Sequence, residues 1–173
     1  MKRLMLTLLL FSIAFCGFSQ TNDTSKKLLR TNEIGLDMFD LVLLRTIDVT
    51  YEYVKNSDFG FGIAARLGLD PDDENNGISG GEKYSITPFF RYYFYNKQDY
   101  GSKGFYAETF IKLVRAERWY EFDVRNTLTG ALGIGLGYKY VNHSGFVLDL
   151  NLGLGRSGDF YVGRGGIIFG YRF

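Results

Sequence analysis

Residues 132–140 read Leu-Gly-Ile-Gly-Leu-Gly-Tyr-Lys-Tyr, with a large apolar side chain at every second position. Successive side chains of a β-strand point to opposite faces, so this alternation predicts a strand with one apolar face and one small or polar face. The pattern returns in two later segments, 146–154 with Phe146, Leu148, Leu150, Leu152 and Leu154, and 167–173 with Ile167, Phe169, Tyr171 and Phe173. We therefore expect three consecutive strands at the end of the chain.

Five further segments upstream show the same period of two. Segments 46–53 and 59–67 alternate cleanly, 86–94 and 105–113 alternate less cleanly, and 34–38 is a weaker first strand. Eight strands of roughly 8 to 12 residues match the even number and the length that bacterial transmembrane barrels use. The sequence therefore predicts an all-β fold, an eight-stranded antiparallel up-and-down transmembrane β-barrel.

The predicted connections alternate in length. Short turns are expected at 55–58 and 141–145 and a medium one at 96–103, and longer or more polar loops are expected at 70–83, 115–126 and 157–164. Transmembrane barrels have short periplasmic turns and longer outer loops, so we expect the longer loops to face outward. The first outer connection, 39–44, is short and apolar and fits less well. Pro88 lacks a ladder donor, which favours a place at the start of its strand.

The amino terminus has the features of a secretory signal. Lys2 and Arg3 precede the largely apolar run 4–15, which is too short to cross a membrane as a helix. Small and polar residues follow, and we expect cleavage between Ser19 and Gln20. The predicted organisation is a signal peptide over 1–19, a short periplasmic segment over 20–31 and the barrel over 32–173.

Cysteine and charge limit the chemistry of the mature chain. An alternative lipoprotein signal would acylate Cys16, but Phe15 stands where such signals carry a small residue. Cleavage removes Cys16, the single cysteine of the chain, and with it any disulfide or thiolate chemistry. It also removes Lys2 and Arg3, so 18 of the 20 basic residues remain against 19 acidic ones, a net charge of −1. No basic excess is left to attract nucleic acid.

The contents of the two strand faces distinguish a soluble barrel from a membrane barrel. A soluble barrel turns its apolar face inward. Here the polar face is rich in glycine with scattered charges, while the apolar face is long and leucine-rich, an arrangement that suits lipid on the outside. Aromatic rings near the strand ends on the apolar parity suit the headgroup level, and these are Tyr51, Tyr53, Tyr92, Tyr138, Tyr140 and Tyr171.

The polar parity places charged side chains inside the predicted barrel. The acidic ones are Asp37, Asp48, Glu52, Glu108 and Asp149, and the basic ones are Arg66, Arg91, Lys112, Lys139 and Arg172. Enclosed charges are costly unless they are paired and hydrogen-bonded. Equal numbers of both signs therefore predict a plugged interior held by ion pairs, which we interpret as structural.

Three motifs resemble short outer-membrane β-barrels of the OmpA/OmpX type, as found in Bacteroidetes. Phe18-Ser19-Gln20 ends the signal, residues 87–94 followed by 104–108 resemble paired central strands, and the chain ends in Gly170-Tyr171-Arg172-Phe173. In that family a terminal aromatic strand is the signal read by the outer-membrane assembly machinery, which implies this role for Tyr171 and Phe173. The resemblance implies a location and a fold, and it brings no active site.

Three candidate chemical sites have simpler interpretations. His143 beside Ser144 suggests a nucleophile and base, but adjacent residues in a tight turn point apart, and a solvated turn is favoured. The acidic stretch 70–77 could offer oxygen ligands to Ca²⁺, yet it lacks the full calcium-loop spacing and suits a loop tip. The glycine row at 130–137 continues as a strand and has no helix behind it to bind phosphate.

We therefore expect a non-enzymatic barrel in the outer membrane of a Gram-negative bacterium, with a structural or surface-contact role. Its expected partners are outer-membrane lipid, lipopolysaccharide and, during insertion, the assembly machinery. We expect a monomer without a cofactor, a bound metal or nucleic acid. The alternatives are a barrel enzyme that modifies lipid A, a small diffusion channel and a soluble secreted barrel.

Overall fold

A computed structural model describes residues 30–54, 58–69, 82–94, 102–120, 123–158 and 160–173. The predicted signal peptide, almost all of segment 20–31 and the acidic stretch 70–77 lie outside these residues. Eight strands and one helix follow in chain order: β1 (Asn32–Asp37), α1 (Met38–Leu43), β2 (Thr46–Val54), β3 (Phe59–Gly68), β4 (Glu82–Tyr93), β5 (Gly104–Tyr120), β6 (Asp123–Val141), β7 (Phe146–Ser157) and β8 (Phe160–Arg172).

The strands form one closed antiparallel barrel in which each pairs with its neighbours in sequence. β8 returns to β1, where Ile34 pairs with Tyr171 and Asp37 with Ile168. Following the paired positions once around the barrel leads to a place about ten residues further along β1, a stagger that tilts the strands by about 40°. The predicted eight-stranded up-and-down topology is confirmed.

The predicted parity also holds along the strands. In β6 the alternate residues Leu132, Ile134 and Leu136 are 68%, 72% and 66% exposed, whereas Lys139 on the other parity is 0% exposed. Large apolar side chains thus cover the outside, and glycines, charged side chains and a few aromatic rings fill the inside. In the part of the chain that the structure describes, no helix is long and apolar enough to cross a membrane.

One connection has a local structure that the sequence analysis did not predict, and the expectation for Pro88 was wrong. The connection after β1 is a short helix, α1, because Asp37 accepts hydrogen bonds from the backbone N–H groups of Phe39 and Asp40 and caps its first turn. Pro88 lies inside β4, opposite Ile63 of β3. The pairing of β4 with β5 is interrupted at Thr87 and Pro88, on the side to which the missing N–H of Pro88 would have donated.

The strands at one end of the barrel are longer than predicted. β4 begins at Glu82 and β8 at Phe160, inside expected loops, and β5 and β6 stay paired as far as Tyr120 and Asp123. These segments lack a regular alternation of apolar and polar residues, so they give no clear period-two signal. We call this end, which carries α1, the loop end, and the opposite end, with Asn32 and Phe173, the terminal end.

Inward glycines make room for large aromatic rings in the narrow lumen. Gly62 faces Phe89 across β3 and β4, and Gly133 faces Phe110 across β5 and β6. A Cβ atom on either glycine would collide with the opposite ring. Phe89, Phe110 and Ala64 form a buried apolar layer across the barrel.

We predict that Gly133→Ala destabilises the barrel by about 1 to 3 kcal/mol, because the added methyl overpacks the lumen against the buried Phe110 ring. The matched control is Gly130→Ala on the same strand. Gly130 faces outward, and an added Cβ would lie 3.4 Å from Leu113 Cδ2, an ordinary contact. Its effect should stay within about 0.5 kcal/mol. Denaturant titration of the folded barrel in detergent measures both, and equal effects would contradict the inward assignment.

Candidate functional site in the barrel interior

Arg91 is the centre of an ion-pair cluster at the terminal end of the lumen. Its side chain is 0% exposed, and its Nη1 donates to Glu52 Oε2 and Asp149 Oδ2 at 2.7 Å each. Its Nε donates to Glu108 Oε2, also at 2.7 Å. The guanidinium lies over the Tyr106 ring, 4.4 Å from its centre. Strands β2, β5 and β7 thus each supply a carboxylate to one cation of β4.

Other cations and two tyrosines complete this cluster. Lys139 Nζ bridges Glu33 and Glu52 at 2.7 and 2.6 Å, and Arg172 pairs with Glu33 at 2.8 Å. Arg164 Nε pairs with Glu108 at 2.6 Å. The tyrosine hydroxyls donate to the remaining carboxylate oxygens, Tyr93 to Glu52 Oε1 and Tyr106 to Asp149 Oδ1. We call the set the terminal-end cluster: Glu33, Glu52, Arg91, Glu108, Lys139, Asp149, Arg164 and Arg172, with equal numbers of acids and bases.

A second set of charges, the loop-end cluster, consists of Asp37, Asp40, Asp48, Arg66, Glu82 and Lys112. Arg66 pairs with Asp40 and with Asp48 Oδ2, and Lys112 Nζ pairs with Glu82 at 2.7 Å. Asp37 also accepts from the backbone N–H of Ile167 in β8. This cluster has four acids and two bases. Burial raises the pKa of Asp40, which lies in α1, to about 6, although Arg66 opposes the shift.

All ten charged residues predicted to point inward lie inside the barrel, nine of them buried and Arg66 with a side chain 11% exposed. Glu108 pairs with Arg91 and Arg164. The sequence interpretation missed Glu33, Asp40, Glu82 and Arg164. Glu82 and Arg164 lay in expected loops, and Glu33 precedes the first strand as it was predicted. Extending the polar parity outward along β1 and β8 would have found Glu33 and Arg164, whereas Glu82 is on the other parity of β4 and is buried because the register shifts between Glu82 and Tyr84.

The other site residues are placed as follows. Tyr171 and Phe173 lie at the terminal end of β8 and point outward, 46% and 54% exposed; their role as an assembly signal stays a prediction. His143 lies in the turn between β6 and β7, in which the Ser144 hydroxyl and backbone N–H both donate to Asn142 Oδ1. Among the described residues, no group of three or more His, Cys, Asp or Glu side chains is placed to hold a metal ion.

Two small cavities separate the clusters. Each has a volume of about 10 Å³, the space of roughly one water molecule. Asp48, Arg66 and Arg164 line both of them, and Thr50 and Asn151 line one. Asp48 Oδ1, Thr50 Oγ1 and an Arg164 Nη2 nitrogen have no hydrogen-bond partner among the described protein atoms, so these cavities suit single bridging waters. The lumen is therefore filled, mainly by ion pairs.

Fold and interior define a closed eight-stranded barrel with an apolar outside and an ionic inside. No protein-family model matches the sequence, and no curated protein matches it. The structure is similar to the N-terminal β-barrel domain of Pseudomonas aeruginosa OprF, with a TM-score of 0.58 and 13% identity over 83% of this chain and 98% of that one. It also matches the Yersinia pestis outer membrane protein Ail, solved in a phospholipid bilayer nanodisc, with a TM-score of 0.46 and 20% identity over 83% of this chain and 99% of that one. The similarity to the OprF domain confirms the fold.

We predict that Glu108→Leu lowers the free energy of unfolding by roughly 3 to 5 kcal/mol, because it removes the carboxylate that Arg164 pairs with and one of the three around Arg91. Denaturant titration in detergent measures the loss. The double variant Glu108→Leu with Arg164→Leu should lose less than the sum of the two single variants, because it leaves one buried charge fewer uncompensated. The cluster would be contradicted if Glu108→Leu left the free energy of unfolding unchanged, or if the loss in the double variant equalled the sum of the two single losses.

Proposed function

We propose that the protein is an exported outer-membrane β-barrel with a closed lumen and a structural or surface-contact role. The apolar outer wall is the observation that carries this proposal. Outward side chains such as Leu136, Leu152 and Leu154 are 66%, 75% and 68% exposed and belong to one continuous belt. A belt of this size in water would be an aggregation liability, whereas in a bilayer it meets hydrocarbon.

Aromatic rings flank this belt at both ends. At the terminal end the exposed rings include Tyr53, Tyr92, Phe105 and Tyr138, and at the loop end Tyr84 and Tyr161. Tyrosine at the headgroup level keeps its hydroxyl in a polar layer and its ring in an apolar one. We accordingly place the terminal end in the periplasm and the loop end outside the cell, which agrees with the long paired projection of β5 and β6 at the loop end.

The filled lumen favours a structural role over transport or catalysis. Arg91 and its three carboxylate partners are buried and extend across the lumen. The cavities on the loop-end side of them have room for about one water each. A diffusion channel needs a continuous aqueous path, and barrels with open lumens use about 16 strands. A barrel that modifies lipid A would need an acid, histidine or serine constellation at its outer rim, and His143 lies at the terminal end.

The outer hairpin supports a role in surface contact. β5 and β6 remain paired to Tyr120 and Asp123, well beyond the outer ends of β2 and β3 at Thr46 and Gly68. This hairpin therefore projects from the wall on the side that we place outside the cell. Lipopolysaccharide and the assembly machinery remain proposed partners, and we propose that the barrel is a monomer.

Fractionation tests the location. The mature protein should stay in the outer-membrane fraction after a carbonate wash, and its band should shift on heating before electrophoresis, because a folded barrel keeps its compact shape in detergent until it is boiled. The matched control is an exported soluble protein from the same cells. Release of the chain into the soluble fraction would contradict the proposal.

Depth in the bilayer gives a sharper test. Leu150→Arg and Leu136→Arg should each lower the free energy of unfolding by about 2 to 4 kcal/mol, because each places a charge near mid-bilayer. Tyr140→Arg, on the same outer face but at the terminal-end rim, should cost no more than about 1 kcal/mol. Denaturant titration in lipid vesicles separates the two depths. Equal costs at Leu150 and Tyr140 would show that the outer wall does not face lipid.

A further inference from the structure

The wall of the barrel is incomplete as a β-sheet at one place near the loop end. β8 begins at Phe160, but β1 pairs only with positions 168–172 of it. Asp37, the last residue of β1, pairs with Ile168. After Asp37 the chain leaves the sheet and forms α1, which packs against β8 and β2. Among the described residues no strand pairs with the free edge of β8 from Tyr161 to Gly166 on the side that faces α1.

The backbone of this edge points alternate polar groups toward the gap. At the terminal end, Phe173 and Asn32 exchange backbone hydrogen bonds across the β8 and β1 pair, so odd-numbered positions of β8 face β1. Further up, the N–H of Ile167 donates to the Asp37 side chain, again on that side. The N–H and C=O groups of Tyr161, Gly163 and Gly165 therefore face the gap. There each N–H needs an acceptor and each C=O needs a donor.

This edge lies within the apolar belt. On the neighbouring strand β7, Leu154 pairs with Gly163 and Leu152 pairs with Gly165. These leucines are 68% and 75% exposed. Unpaired backbone groups in hydrocarbon are costly, so a lipid-facing edge requires a partner. Ile167 shows the local solution, a side-chain oxygen that replaces the missing strand.

The outer surface beside the edge has open space at Gly163 and a cation nearby. Gly163 faces outward, and a Cβ atom added there would meet no atom within 4 Å. The exposed leucines of β7 lie beside it, since Leu154 pairs with Gly163. Toward the loop end, exposed Arg156 lies 5.7 Å from the centre of the exposed Tyr161 ring.

We propose that this edge binds a phosphorylated glycolipid of the outer leaflet. Sugar hydroxyls both donate and accept, so they can satisfy the N–H and C=O groups of Tyr161 and Gly163 together. The Arg156 guanidinium suits a phosphate group, and the open space at Gly163 beside the exposed leucines of β7 leaves room for an acyl chain. This proposal rests on the proposed function, because it needs the β8 edge to face the outer leaflet.

A second copy of the chain does not fit this edge. Two barrels inserted in the same direction are related by an axis along the membrane normal. With strands tilted by about 40°, their β8 edges would cross at about 80° and could not form a ladder. The glycolipid needs no such alignment.

Amide hydrogen exchange followed by NMR tests the site in the full mature chain. The probes are nanodiscs of phosphatidylcholine alone and of phosphatidylcholine with lipid A, a phosphorylated glucosamine disaccharide that carries acyl chains. Lipid A should slow exchange at Tyr161, Gly163 and Gly165 by about tenfold or more. The amides of Val162 and Arg164, which face β7, should change little, because that side of β8 is already paired.

Variants separate the site from general lipid effects. Arg156→Gln should abolish most of the protection by lipid A, while Arg115→Gln should not. Arg115 forms a similar pair with Tyr84, 6.0 Å from its ring centre, but on a wall where β4 and β5 are paired. Gly163→Val should also remove the protection, because its side chain occupies the open space beside the edge.

The glycolipid site would be overturned if lipid A left exchange at the three edge amides unchanged. It would also be overturned if their exchange were already slow in phosphatidylcholine alone. So would equal effects of Arg156→Gln and Arg115→Gln. These outcomes leave the membrane proposal standing as long as the barrel inserts into the nanodiscs. Failure to insert would instead overturn the proposed function.

Discussion

The burial of Arg91 among three carboxylates is the interaction on which the interior depends. A fully buried guanidinium is tolerated only when paired and hydrogen-bonded, and Glu52, Glu108 and Asp149 meet it from three other strands. This geometry requires a barrel narrow enough for side chains to meet across it, which eight strands provide. It also fixes register, because a slip by one residue would turn Arg91 into the outer wall.

The same narrowness explains the composition of both faces. Opposite the large inward rings the chain has glycine, as at Gly133 beside Phe110, and the outer face is left to leucine and aromatic residues. Closure removes unpaired strand edges from the lipid zone almost everywhere. The exception is the outer half of β8, where the six residues of β1 are too few to cover a longer strand. The site that we propose lies where closure is incomplete.

The sequence predicts the membrane-level strands well and the rims poorly. Along Leu132 to Tyr140 the alternation is imposed by lipid on one side and a packed lumen on the other, so parity alone identifies which side chains point in. The alternation is less regular at the loop end, where a register shift precedes Tyr84 and glycines flank Arg164, which is why Glu82 and Arg164 fell in predicted loops. The sequence also does not reveal which charged side chains form ion pairs, since Glu108 and Arg164 are 56 residues apart and meet only across the lumen. The capping of α1 by Asp37 is a local contact that the period-two analysis did not consider.

The central claim is that one parity of the wall meets lipid and the other encloses a closed ionic core. Methyl NMR of the barrel in nanodiscs, with a lipid-soluble and then a water-soluble paramagnetic agent, tests it most directly. The lipid-soluble agent should broaden the methyl signals of Ile134, Leu136 and Leu150, and neither agent should broaden those of inward Val147 and Ile168, which are 1% and 5% exposed. Broadening of the outward leucines by the water-soluble agent, or of Val147 by either agent, would contradict the account.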